Sequence, residues 1–482
     1  MIAVTTLRKL LFYLFVLIYI LVCPVVILRV LGYDIRPGGK RQIVSTGDLY
    51  VASFPPGARL FIDGRQYSRP TPTSVLDLKP GSYRLRLWAE GYLPWTQTIT
   101  VEPGKATVLD DVLLLPEHWP HSELDARAFE DILPSSEYPN LLLKRGPLLR
   151  DLFVYQVRRQ AFLALPDSAL GAARILDLVP LAGGSVLLIE VKLDSAQRRL
   201  LLTIHSGSLD IRDLTDLVPE GVGNLIWAAE KPEDLFFYRQ GSVTRINVPA
   251  ATVYPSFPYR VRGFGVGNDT LFFLTAAGDL LIQEYDSERA RLPAGFRGIG
   301  ALLPPAGFVR LTPLQDGTVI LRAPGGELLT AGKAGCLALG KVEGFRIETD
   351  PLRLLLWQDQ RVGVLAFGGA KEPKPKRPLE VQPEWIPVPG IKVQQAFFVL
   401  EGTYVLYRNG ARVVLVCPER GGQRKQVPVV QVRGGTSVYY SDRNGKLFYL
   451  DSLTGRPSSL EIIGNTQLVD QLLLDIRRRI QP

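Results

Sequence analysis

An uncharged run of nineteen residues, LLFYLFVLIYILVCPVVIL from Leu10 to Leu28, constrains this chain more than any other feature. At about 1.5 Å per helical residue it would extend roughly 28 Å, close to the roughly 30 Å hydrocarbon core of a bilayer. Fifteen of the nineteen are Leu, Ile, Val or Phe. Each is worth about −0.3 to −0.6 kcal/mol at the centre of a membrane helix, so insertion is favoured even with Pro24 inside, which such a helix absorbs as a kink. The expectation is a single transmembrane signal anchor over residues 10–31, with the lipid bilayer as partner. A cleavable signal would have a shorter apolar core and small residues at its cleavage site. No Ala or Ser occurs between Leu10 and Val44.

Basic residues flank the run on both sides, Arg8 and Lys9 before it and Arg29, Arg36, Lys40 and Arg41 after it. Charge counting therefore does not orient it. A tail of nine residues ahead of the first apolar segment favours a cytoplasmic tail, residues 1–9, with the bulk of the chain exported, because long domains translocate largely regardless of charge. The expected location is the cell membrane, single-pass, with most of the chain periplasmic or on the cell surface, beyond a juxtamembrane linker at 32–46.

The 45 Gly and 37 Pro, with 46% hydrophobic and 21% charged residues, describe a mostly β protein of many short strands and tight turns. Only Cys336 and Cys417 lie outside the anchor, too few for a disulfide framework. The net charge of +9 is spread through the strands, and its one dense run, KEPKPKR from Lys371 to Arg377, carries prolines that mark an exposed loop. Such a charge would favour anionic lipid head groups or acidic envelope polymers; solubility is the preferred reading, and nucleic acid is not an expected partner of an exported domain.

From Gly47 to Pro116 apolar residues alternate with polar ones: Leu49 and Val51, Leu60 and Ile62, Tyr83, Leu85 and Leu87, Ile99 and Val101. That is the period of half-buried strands. Turn residues separate them at Pro55-Pro56-Gly57, Asp63-Gly64, Lys79-Pro80-Gly81, Glu90-Gly91 and Glu102-Pro103-Gly104. Residues 47–116 thus read as a small β-sandwich. Five pieces fall in a familiar order: Pro56-Gly57-Ala58, Leu60-Phe61-Ile62-Asp63-Gly64, Thr71-Pro72, Leu78-Lys79-Pro80-Gly81-Ser82-Tyr83 and Gly91-Tyr92. This stretch resembles the PEGA domain of bacterial and archaeal envelope proteins. The namesake Pro-Glu-Gly-Ala reads Pro55-Pro56-Gly57-Ala58 here, which keeps the turn and loses the acid. The resemblance implies a sandwich like those of surface-layer modules, often beside a membrane anchor, and implies no catalysis. A folded sandwich also suits a stiff spacer between bilayer and distal domain.

Residues 117–139 read as a helical linker, capped by Ser122 and running through Leu124, Ala128, Phe129 and Ile132 to Pro134. From 140 to 464 eight hairpin-like units recur, centred near Arg159, Asp194, Gly241, Gly278, Gly325, Gln360, Gly410 and Gly445. Their mean step of about forty residues is that of a propeller blade. A seven- or eight-bladed β-propeller is expected, because ring closure removes exposed strand edges. The likeness to propellers is architectural only. Residues 465–482, with Leu468, Leu472, Leu473 and Ile476, read as an amphipathic helix.

No residue stands out as catalytic, and no cofactor or metal is expected. His118 and His121 stand at the start of the linker without zinc spacing, and His205 ends an apolar strand with no nucleophile elbow. Glu190, Glu284, Glu348, Asp350 or Asp359 could meet in a propeller funnel as a glycosidase pair, yet nothing singles out two of them. Asp442-Arg443-Asn444-Gly445 lacks the later Glu of a calcium loop. Gly263-Phe264-Gly265-Val266-Gly267 lacks the strand-to-helix setting of a nucleotide fingerprint. The expected function is a non-catalytic, membrane-anchored envelope protein whose propeller binds or scaffolds a protein or polysaccharide. Trp227, Tyr238, Tyr254, Tyr259, Trp357, Trp385 and Tyr407 are the candidate binding surface. The alternatives are a propeller enzyme acting on envelope glycans or peptides, and an envelope assembly factor.

Overall fold

The fold comes from a computed structural model that describes residues 12–23, 33–34 and 44–462, apart from short stretches of which 134–139, 367–382 and 417–425 are the longest. The proline-rich basic run at 371–377 and the expected C-terminal helix at 465–482 lie outside the described residues. So do residues 10, 11 and 24–31 of the expected anchor. Residues 12–23 are α-helical, a length of about 18 Å. Among the described residues no helix is long and apolar enough to cross a membrane.

The chain divides into two compact units, one reaching to Trp119 and one starting at Pro120. In the first, Tyr33–Asp34 and Val44–Ser45 pair as a short ribbon, and the seven strands that follow form two sheets. Gly47–Phe54 lies between Thr73–Leu78 and Ala106–Leu113, antiparallel to the former and parallel to the latter. The second sheet runs in the order Arg65–Gln66, Arg59–Ile62, Gly81–Trp88, Trp95–Val101. Alternation places Leu49, Val51, Leu60, Val75, Leu85, Leu87, Ile99 and Val101 in one core. Each such fully buried aliphatic side chain is worth about 1.5–3 kcal/mol. The Asp63-Gly64 turn has φ of 47° and 80°, the positive pair required by the two-residue hairpin whose twist matches its strands.

Among the described residues the second unit contains eight blades of four antiparallel strands, six of them separate sheets and the fourth and fifth joined through their first strands into one eight-stranded sheet. In chain order they begin at Asp131, Arg174, Asn224, Val261, Val309, Gly344, Val393 and Tyr439. Apolar clusters join successive blades: Leu142 with Ile189, Leu188 with Leu235, Phe236 with Phe264, Leu280 with Leu311, Ile320 with Leu354, and Leu355 with Val405. Blades seven and eight meet through Gln395, whose Oε1 accepts from the Val438 amide at 2.9 Å. A last cluster packs Tyr439 and Phe448 of blade eight against Leu141 and Leu143 of blade one. The contacts return to their start, so the blades close into a propeller-like ring.

Closure explains the sequence of the middle strands. In Asp234–Arg239, Leu235 and Phe237 pack toward blade two while Phe236 packs toward blade four. A strand buried on both faces reads as an unbroken apolar run rather than an alternating one. Six of the eight expected hairpin centres, Asp194 through Gly410, fall at the turn between second and third strands. Arg159 falls after the third strand of blade one, and Gly445 after the first strand of blade eight.

The helical linker expected at 117–139 is corrected. His121–Glu123 is a strand that pairs antiparallel with Pro457–Glu461 and supplies the outer strand of blade eight. Asp131–Leu133 is the first strand of blade one. The apolar spacing of Leu124, Phe129 and Ile132 suggested a helix, but burial against Leu450 and Tyr155 decides their conformation, since tertiary packing overrides weak helical propensity. The ring therefore starts near residue 120, and not at 140.

Candidate functional site

A polar pocket of about 320 Å³ opens at the junction of blades three and four, lined by Lys231, Glu233, Asp234, Arg245, Asn247, Tyr285 and Asp286. Asp234 starts the second strand of blade three, and the ladder sets Asn247 opposite it and Arg245 opposite Phe236. Tyr285 follows the third strand of blade four, fixed by its amide donating to the Asp269 carbonyl at 2.9 Å. Its ring meets Phe236 edge-on at 6.0 Å. The pocket thus lies on the end of the ring where first-to-second and third-to-fourth strand connections emerge.

The Asp234 carboxylate is 2% exposed, and burying a charge demands partners. Oδ2 accepts from the Tyr285 hydroxyl and from Arg245 Nη2 at 2.8 Å, and Oδ1 accepts from Asn247 Nδ2 at 3.2 Å. Burial, and then the hydrogen bond to Asp234, raise the Tyr285 phenol above its ordinary range and keep it a neutral donor. Burial is the largest single influence on Arg245 and opposes its charge, but the Asp234 hydrogen bond together with the charge interactions of Tyr285, Asp234 and Tyr254 outweighs it and holds the guanidinium protonated. Lys231 Nζ stands 3.8 Å from the Tyr285 ring centre and 3.6 Å from Asp286 Oδ1, while Arg245 lies 5.0 Å from the same ring and 4.7 Å from that of Tyr254. With its carboxylate committed to three donors, this cluster offers fixed hydrogen bonds and a ring held by two cations, with Lys231, Glu233 and Asp286 as a rim of both signs.

The seven candidate aromatics do not form one surface, which corrects that expectation. Trp227 is in the core between blades two and three, and Tyr407 is buried between blades six and seven with its hydroxyl donating to Gln426 Oε1 at 3.1 Å. Tyr238 packs on Phe308 at 4.6 Å, and the Tyr259 hydroxyl accepts from the Ala290 amide at 3.2 Å. Trp357 and Trp385 border two different clusters, the latter under Arg361 at 4.5 Å. Only Tyr254, through Arg245, adjoins the pocket. The reason is general to rings of blades: large aromatics fill the widening gaps between them.

The candidate carboxylates are dispersed. Glu190 is in the second strand of blade two and pairs with Arg199 at 2.9 Å; Glu284 is in the third strand of blade four; Glu348 is in the first strand of blade six; Asp359 is in a hairpin of blade six. Asp350 lies outside the described residues, as do Asp442 and Arg443. His118 Nδ1 is 3.0 Å from the Glu117 carbonyl, His121 is exposed in the closing strand, and the His205 carbonyl accepts from Gln156 Nε2 at 2.8 Å. Among the described residues no three His, Cys, Asp or Glu side chains gather as a metal site. Gly263 and Gly265 have a structural task. The first strands of blades four and five pair in parallel there, and a Cβ on Gly265 would stand 2.5 Å from the Leu311 carbonyl oxygen.

The Asp234 network was not anticipated. Its trace is an acid directly before an apolar run, Asp234-Leu235-Phe236-Phe237, with Arg245 and Asn247 alternating in the next strand. Tyr285 lies on another blade, and no local pattern connects them.

Residues 46–114 match the PEGA domain. Among solved structures the chain is similar to the Cps50 (Swd1) β-propeller domain of Myceliophteria thermophila, at 10% identity and a TM-score of 0.37, over 71% of this chain and all of that one. No curated protein matches the sequence.

Proposed function

We propose that this chain is a membrane-anchored, non-catalytic envelope protein in which a PEGA sandwich stands next to the bilayer and a ring of blades presents a binding surface to a protein or polysaccharide. The observation that carries the anchor is the helix at 12–23. Phe12, Phe15, Leu17, Ile18, Ile20 and Leu21 are each more than half exposed. A helix apolar on every side is a membrane span or a core helix, and within the described residues this one has no core around it. The pocket at blades three and four supports the second half of the reading, since its carboxylate is consumed by internal donors and its charged rim suits recognition of a polar partner.

Localisation outside the cytoplasm and the absence of catalysis belong to the same proposal. The test is extraction and protease access in the native host. The full chain should stay in membranes through alkaline carbonate washing and leave only with detergent, and protease added to intact spheroplasts should remove the ring. Release by carbonate would overturn the anchor. Protection of the ring in intact cells would overturn the orientation.

A further inference from the structure

The two sheets of the sandwich carry opposite charge. Strands Gly47–Phe54, Thr73–Leu78 and Ala106–Leu113 contain Asp48, Asp77, Asp110 and Asp111 and no Lys or Arg. Strands Arg59–Ile62, Arg65–Gln66, Gly81–Trp88 and Trp95–Val101 contain Arg59, Arg65, Arg84 and Arg86 and no Asp or Glu. Because Leu60, Leu85 and Leu87 point into the core, Arg59, Phe61, Arg84, Arg86 and Trp88 occupy the opposite, outer face. The register sets Arg59 beside Trp88 and Arg86 beside Phe61, with guanidinium-to-ring distances of 5.2 and 5.8 Å. The nearby acid of the hairpin, Asp63, is turned onto the Arg84 amide at 2.8 Å. The result is an exposed sheet of arginines interleaved with aromatic rings.

We propose that this outer face binds the anionic head groups of the bilayer in which the chain is anchored. The proposal rests on the anchoring reading above. Guanidinium groups match phosphate oxygens in geometry, and rings such as Trp88 settle at the level of lipid head groups. Charge complementarity selects anionic lipid, and the acidic sheet is repelled by the same surface, so the sandwich lies with its arginine face down. Only 22 residues, 24–45, separate the helix from Thr46, where the PEGA match begins. The face therefore acts at high local concentration of lipid.

The test uses the full chain reconstituted in nanodiscs of phosphatidylcholine alone or with phosphatidylglycerol, read by amide hydrogen exchange. Slower exchange in 59–62 and 81–88 is expected only with the anionic lipid, and is expected to vanish at high salt or in the R59Q/R84Q/R86Q variant. All three side chains are exposed, so that variant should keep the core and its unfolding midpoint. Each arginine near such a surface strengthens binding about fivefold, so the triple variant should lose about a hundredfold in affinity. Equal exchange in both discs overturns the proposal, as does protection produced by a soluble anionic polysaccharide and not by lipid. A chain that enters neither disc overturns the anchor instead. Sedimentation with vesicles of the same two compositions then decides the face alone: selective pelleting with anionic vesicles supports it, and equal pelleting refutes it.

Discussion

Individual residues show how a turn motif becomes a fold. Thr71 is buried, accepts from the Ala58 amide through Oγ1 at 3.0 Å and shares a hydrogen bond with Ser53 Oγ at 2.6 Å. Its backbone also links to Gly57 and Ala58, so the second connection between the two sheets locks the Pro-Gly-Ala turn of the first. Thr71→Val keeps the volume and strands a buried amide, and should cost about 1–3 kcal/mol, measured as a lower urea midpoint. Tyr285→Phe should cost a similar amount by removing one donor to the Asp234 charge. Buried tyrosines also set an alkaline limit. Tyr407 and Tyr449 are pushed up from 10 to about 12 by burial, the latter also by Asp451. Their contribution is complete below pH 10 and is lost as the pH rises toward 12, because the unfolded chain releases these protons first. Urea midpoints should fall over that window, and Tyr407→Phe should flatten the fall.

At the level of elements, legibility followed the range of the interactions. The hairpins of the sandwich could be read because Asp63-Gly64 and the Leu60, Leu85 and Leu87 alternation are local signals. The blades could be counted only as seven or eight because the steps between hairpin centres alternate in length, the connections between blades being unequal even where the hairpins are equivalent. The closing strand could not be read at all: His121–Glu123 has no apolar alternation, and its partner is more than three hundred residues away. The Asp234 cluster was hidden for the same reason, as its members come from two blades. The closing strand yields its own prediction. The Pro120 carbonyl accepts from the Glu461 amide and the Leu124 amide donates to the Pro457 carbonyl, which places Ser122 in the bonded register opposite Ser459. Ser122→Pro removes a ladder amide and should destabilise the ring by about 1–3 kcal/mol. Hydrogen exchange should localise the loosening to residues 457–461.

Across the whole molecule, the ring and the sandwich each hold a complete core, and the ring begins earlier than its repeats suggest. A chain starting at Pro120 should fold with a cooperative transition. One starting at Asn140 should not, because it lacks the outer strand of blade eight together with Phe129 and Ile132 of the closing cluster. It would also expose Pro457–Glu461 as a bare edge, a template for self-association. Size-exclusion and circular dichroism of the two chains distinguish these outcomes. The first strands of blades four and five add an asymmetry, since their parallel pairing fuses eight strands into one sheet, and Gly265→Val should break that seam and cost about 1–3 kcal/mol.

The fastening of blade eight by residues 121–123 has a bearing on biosynthesis. The segment made before any blade must wait, unpaired, until the ribosome has delivered residue 461. An interrupted translation product missing the final hairpin therefore leaves His121–Glu123 without its ladder partner and the ring without its closing blade, and should be cut by protease faster than the full chain however well its middle blades have formed.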